Sequence, residues 1–190
     1  MKKIPDNAIK VFSGIVFDVY HWQQEMFDGS TETFEAIKRI DSVTILAVVD
    51  GKILLNTETQ PGREPFLALP GGRINRDEDP AEAITRELLE ETGFSSENVS
   101  KWFTADASNF AKIEWNLHYF IAKQCTKTKE IDLDSGEKIE TKLITLEELI
   151  ELREKFGNRN IGLKEILEKA SQDETEREKL KTLLGLSTNN

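Results

Sequence analysis

Hydrophobic and polar residues alternate with a period of two through residues 9–57, the pattern of half-buried β-strands. Val11, Ile15 and Phe17 form one run, Phe34 to Ile37 a second, Val43 to Val49 a third and Ile53 to Leu55 a fourth. Asp50-Gly51 separates the last two and suits a tight hairpin, because glycine accepts positive φ. The runs before Val43 read as an N-terminal β extension, a small sheet of its own bounded near Asp41-Ser42. Over residues 79–93 the period changes to that of a helix. Ala81, Ile84 and Leu88 make its apolar stripe, Asp79 is positioned to cap it, and Pro80 takes the first helical position. Glu82 has the capping-box spacing and Gly93 suits the residue just past the end. Strand-like runs return at Val99 to Ala105 and Trp115 to Ala122, and another begins near Lys138. From Thr145 the pattern is helical, with LEELIELREKFG ending in Gly157 and one or two further charged helices reaching about Leu186. Leu163, Ile166, Leu167, Leu180, Leu183 and Leu184 give that tail an apolar face suited to packing on its own domain. The pattern divides the chain into an extension over 1–41, a main domain over 42–157 and a helical tail over 158–190.

The 190 residues are enough for one main core with an appendage. A net charge of −10 argues against a sequence-independent grip on a nucleic-acid backbone, so nucleic acid is not expected as a partner. A small anionic substrate would need a metal or a local arginine cluster to offset that charge. No run reaches the roughly 18 apolar residues that span a bilayer, and the N-terminus has no stretch of signal-peptide type, so neither membrane nor export is expected. Cys125 is the single cysteine, which excludes an intramolecular disulfide and fits a cytoplasmic protein; it reads as a buried strand residue. His21 and His118 lie in strand-like runs without metal-ligand spacing and read as structural.

The chemistry is concentrated on the helix at 79–93. Glu87, Glu90 and Glu91 stand at i, i+3 and i+4, within an arc of roughly 100° beside the apolar stripe. Such a triplet is commonly a solvated face. These three crowd the last turn, however, where the helix dipole disfavours negative charge, and a hard divalent cation with oxygen ligands would turn the repulsion into a binding site. Upstream, Leu69-Pro70-Gly71-Gly72-Arg73 carries two glycines that allow close backbone approach. In order, Gly72, five residues, Glu78, seven residues, Arg86-Glu87-Leu88, one residue, Glu90-Glu91, one residue and Gly93-Phe94 fill nine specified positions over 23 residues. This segment resembles the Nudix box with every fixed position present.

The resemblance implies an α/β fold, an α/β/α sandwich around a mixed β-sheet, and hydrolysis of nucleoside diphosphates linked to another group. It implies Mg²⁺, with Mn²⁺ as the alternative ion, held by Glu87, Glu91 and the Gly71 carbonyl, with Glu90 a further ligand or base. Arg86 is then the partner that holds a glutamate in place, and Glu78 a helper on the loop. In-line attack by water would require a carboxylate base or a metal to activate the nucleophile. Beyond the box the layout resembles the ADP-ribose and nucleotide-sugar pyrophosphatase branch. That likeness implies a homodimer built through the extension, Trp22 as a base-stacking aromatic, and Glu35, Arg63 and Arg73 as substrate contacts. TETQPGREP departs from the branch's glutamine-tyrosine-arginine pattern, which weakens the transfer to Arg63. Glu137 is the nearest match to the branch's loop-borne catalytic acid, with Ser135 where a second acid would stand. A triphosphate or dinucleotide hydrolase is the alternative on the same fold. A nucleotide-sensing module is the alternative in a different class, and the retained glutamates argue against it.

Overall fold

The computed structural model describes residues 3–108, 111–133 and 135–186, and of 157–159 and 161 the backbone alone. Strands β1 (Ile9–Ser13), β2 (Phe17–Glu25) and β3 (Thr31–Arg39) form a small antiparallel sheet, extended by β9 (Ile113–Glu114) in the order β1-β2-β3-β9. The run expected to be continuous from Val11 to Phe17 is broken. Gly14 N–H donates to the Phe17 carbonyl at 2.8 Å, closing a turn that leaves Ile15 84% exposed. A Cβ at Gly14 would press on that same carbonyl, so the turn selects glycine.

The main sheet combines β4 (Ser42–Val49), β5 (Lys52–Thr59), β6 (Phe66–Ala68), β8 (Asn98–Asp106), β10 (Asn116–Lys123) and β12 (Lys138–Ile144). Its order is β12-β5-β4-β10-β8, with β6 pairing on β5. Only β10 and β4 run parallel within it, so the sheet is mixed. Two short strands, β7 (Phe94–Ser95) and β11 (Thr126–Lys127), pair beside it. At the β4–β5 hairpin, Asp50 and Gly51 both take positive φ, 48° and 75°, as a primed turn requires.

Every residue of β4 is buried, as expected of a strand covered on both faces. Val43, Ile45, Ala47 and Val49 pack with Ile84 and Leu88 of α1 (Pro80–Thr92). Leu46 and Val48 point the other way, toward α2 (Leu146–Glu151), α3 (Ile161–Gln172) and α4 (Glu174–Leu184). The result is helix, sheet and helices in three layers, the α/β/α arrangement. Leu163, Leu167, Leu180 and Leu184 are all buried in that second layer, so the C-terminal helices pack on their own domain.

Two local expectations change. The helix from Thr145 remains α only to Glu151, and Leu152–Asn160 continue as a 3-10 helix, whose tighter winding carries Phe156 into the core. Cys125 is buried but lies between β10 and β11, and burial pushes its thiol up to about 11. Among the described residues, no helix is long and apolar enough to cross a membrane.

Candidate active site

The β4–β5 pairing is confined to Val48–Ile53 and Val49–Lys52, and the strands then part. Into the gap comes the glycine loop. Val43 N–H donates to the Gly72 carbonyl and Ile45 N–H to the Pro70 carbonyl, both at 2.9 Å, so the loop is stitched to β4 as an irregular strand. Gly71 has φ of 149°, and a Cβ there would collide with the Val43 carbonyl and Thr44 Cα. At Gly72 a Cβ would meet the Glu87 carboxylate. The two glycines thus let a loop lie between a strand and a helix with no side chain intervening.

Helix α1 presents the acids to this loop. Asp79 caps it by accepting from Ala81 N–H at 2.8 Å, and Gly93 closes it at φ 72°; the expected return bond from Glu82 is absent. Glu91 is buried, and its Oε2 accepts from Gly71 N–H and Asn56 Nδ2, each at 3.0 Å. Asn56 is fixed in turn by Thr141, whose hydroxyl donates to its Oδ1 at 2.9 Å. Arg86 gathers the other acids. It grips Glu78 with two bonds of 2.8 and 3.0 Å, and its Nη1 donates to Glu87 at 2.9 Å and Glu90 at 3.0 Å. The guanidinium is held further above its ordinary range, chiefly by Glu78. One guanidinium thus bridges three carboxylates.

Gly71, Gly72, Arg86, Glu87, Glu90 and Glu91 line a cavity of about 750 Å³, together with Arg63, Arg73 and Glu137. Burial raises the Glu91 carboxyl well above its usual range and raises Glu87 as well, against the opposing pull of Arg86. The cavity also contains residues the sequence pattern did not single out. Glu58, on β5, is buried beside the box and pushed up to about 7, first by burial and then by the Glu137 and Glu87 charges. Arg39 lies over the Trp115 ring, 4.1 Å from its centroid, and both line the cavity. Burial and the nearby Arg73 charge lower the Arg39 guanidinium. Lys155 and Asn160 add polar groups from the 3-10 segment. The lining therefore combines the acids with positive charge from Arg39, Arg63, Arg73 and Lys155.

Trp22 and Glu35 are not among the residues lining this cavity. Both stand on the small sheet, where Trp22 packs on Phe34 at 5.8 Å and Glu35 pairs with His21 at 2.9 Å. His118 bonds Thr104 at 2.9 Å and faces Asp41 at 3.4 Å, a structural role. Among the described residues, no three acids already converge at ligand spacing, so a bound ion would have to draw the carboxylates together. The donor set nevertheless fits a hard divalent cation, since its oxygens are anionic, clustered and raised in pKa by one another and by burial.

Comparison with known proteins agrees with this geometry. A family model described as NUDIX domain matches residues 38–165. The ADP-ribose pyrophosphatase of Bacillus subtilis (strain 168) is 31% identical over 160 residues, covering 81% of this chain and 86% of that protein. The methanol dehydrogenase activator of Bacillus methanolicus is 26% identical over 156 residues, covering 79% and 84%. A solved structure described as an ADP compounds hydrolase superposes with a TM-score of 0.64 at 21% identity, covering 84% of this chain and 89% of that one, which shows the shared fold. With the box filled, its glutamates gathered at one cavity and the family model spanning most of the chain, the protein belongs to the Nudix family.

Proposed function

We propose that this Nudix chain is a divalent-metal-dependent pyrophosphohydrolase that cleaves ADP-ribose or a nucleotide sugar into a nucleoside monophosphate and a sugar phosphate. The observation that carries the reading is a cavity whose lining brings buried carboxylates and several cations together. A diphosphate needs both, because its charge must be neutralised and its leaving group held. The names borne by the Bacillus subtilis relative and the superposed structure support the substrate class.

In this reading Glu87, Glu91 and the Gly71 carbonyl hold Mg²⁺, or Mn²⁺ in its place, and Glu90 is a further ligand or the base. The Pro70 and Gly72 carbonyls are spent on β4, while Gly71 N–H turns to Glu91. That leaves the Gly71 carbonyl, between the two spent ones and next to the N–H that meets Glu91, as the loop's donor to the ion. When bound, the ion supplies neutralisation of the phosphate oxygens and acidifies the attacking water. Arg86 holds Glu87 and Glu90 together and oriented, Arg63 and Arg73 meet the diphosphate, and Glu137 adds an acid from the loop before β12. Glu90 or Glu137 accepts the proton of the attacking water.

We also read residues 1–41 as a dimerisation element. β1 is an edge strand exposed along its whole length, with Ile9, Val11 and Phe12 in the open and Ile15 and Phe17 beside it, apolar side chains that a second copy could cover. In this reading Trp22 and Glu35, which do not line their own chain's cavity, serve the substrate across the pairing of two copies. Sedimentation equilibrium is expected to give twice the 21.6 kDa of one chain. Trp22→Ala is then expected to raise KM about tenfold with a smaller change in kcat, as loss of a stacking contact does. A monomer with an unaltered KM in the variant would exclude this arrangement.

The catalytic reading is tested with ADP-ribose, nucleotide sugars, dinucleotides and nucleoside triphosphates, each with Mg²⁺ and with chelator, for wild type and Glu87→Gln. Metal-dependent release of AMP and ribose 5-phosphate, or of the corresponding pair from a nucleotide sugar, is expected from wild type alone. Binding that raises the melting temperature without turnover would make the chain a nucleotide sensor instead.

A further inference from the structure

The nine-position box does not include the most isolated acid in the cavity. Glu58 stands on β5, where alternation places it on the face of Leu54 and Asn56, and Leu54 packs in the cluster that holds α1. It is 7% exposed and lines the same cavity as Glu87, Glu91 and Glu137. Each of its neighbours on α1 has a compensating donor: Arg86 for Glu87 and Glu90, Asn56 and Gly71 N–H for Glu91. Glu58 has no such donor among the described residues, and the charges it senses, Glu137 and Glu87, share its sign. Glu91 senses Glu58 in return.

A buried carboxylate without a donor is unfavourable unless it is neutralised or meets a cation. A purely structural position would be better filled by an apolar or amide side chain, since Leu54 two steps earlier and Phe66 opposite on β6 show that the surroundings accept bulk. Hard divalent cations take six or more oxygen ligands, which the box carboxylates do not supply alone. We propose that Glu58 is a direct ligand of a divalent cation in this cavity, so that the ion is held between strand β5 and helix α1 and not by the box alone. The proposal rests on the metal-dependent reading above. It makes β5 part of the metal centre: Asn56 positions Glu91, and Glu58, one alternation further along, contributes its own oxygen.

Mn²⁺ binding to the full chain without substrate tests this, read by electron paramagnetic resonance of the free ion, for wild type, Glu58→Gln and Glu87→Gln. Circular dichroism and melting in chelator verify that each variant is folded. Glu58→Gln is expected to weaken Mn²⁺ binding at least tenfold or to remove one equivalent, while melting in chelator at or above the wild-type temperature. Glu58→Asp, which keeps the charge on a shorter stem, is expected to fall between the two, and it serves as the measurement should the glutamine variant not fold. Wild-type Mn²⁺ affinity and stoichiometry in the Glu58 variants, with binding lost in Glu87→Gln, would overturn this proposal and leave the metal-dependent reading intact. Wild-type binding in all the variants would overturn both.

Discussion

Glu91→Gln is expected to lower kcat/KM for the hydrolysed nucleotide by about 10³-fold or more, the range found when a metal ligand or general base loses its charge, and at the same time to stabilise the metal-free protein. The two effects share one cause. Glu91 is buried, close to Glu58 and Glu87, and burial holds its carboxyl well above the ordinary 4.5. A group whose folded pKa is raised holds its proton more tightly in the folded state. Its stabilising contribution is complete below the unfolded value and is lost as pH rises through the raised folded value, as the buried carboxylate is forced to ionise. Metal-free wild type is therefore expected to lose stability as pH rises above the ordinary carboxylate range and through the raised values of Glu91, Glu87 and Glu58, the last at about 7. The glutamine variant, whose Oε1 can accept both the Asn56 and the Gly71 N–H bonds, should lose less, because Glu58 and Glu87 remain. Urea midpoints in chelator across that pH range, beside steady-state rates with Mg²⁺, check both parts. A variant that is inactive and also less stable at pH 8 would assign Glu91 a structural duty instead of a functional one.

The box helix could be read directly from the chain because its determinants are local. Asp79, Pro80, the Ala81–Ile84–Leu88 stripe and Gly93 act within one element, and the glutamate spacing follows from helical period alone. Asp50-Gly51 was readable for the same reason. Glu58 and Asn56 lack such a signal, because the apolar run stops at Leu55 while β5 continues to Thr59. Two more steps of the same alternation would have put both residues on the face of Leu54, the face that meets α1. Their importance also depends on β5 lying between β6 and β12, and the β5–β12 pairing joins segments some 85 residues apart at Asn56 and Thr141. Arg39 and Trp115 belong to the same class, since a cation over an indole between residues 39 and 115 has no local signature. Ile15 misled for the converse reason. Its alternation with Val11 and Phe17 is genuine, but Gly14 turns the chain between them, so a period counted through a turn does not describe one strand.

Gly71→Ala tests whether the close fit of loop, strand and helix is what holds the acids in place. The added Cβ would run into the Val43 carbonyl and Thr44 Cα of β4, which is paired with β10 on its other side and cannot withdraw. The loop must yield, at the expense of the Val43–Gly72 and Ile45–Pro70 bonds and of the Gly71 N–H bond to Glu91. At about 1 kcal/mol net for each bond, the cost is about 3 kcal/mol, with backbone strain adding about 1 kcal/mol more at this positive φ. Gly136→Ala is the matched control, because nothing lies within 4 Å of a Cβ there. The control is expected to unfold within about 0.5 kcal/mol of wild type. Equal urea midpoints for the two alanine variants would show that the loop can shift without loss. A large drop for Gly71→Ala, together with weakened Mn²⁺ binding, is the expected result, because the same backbone that occupies the gap beside β4 also orients Glu91 toward the cavity.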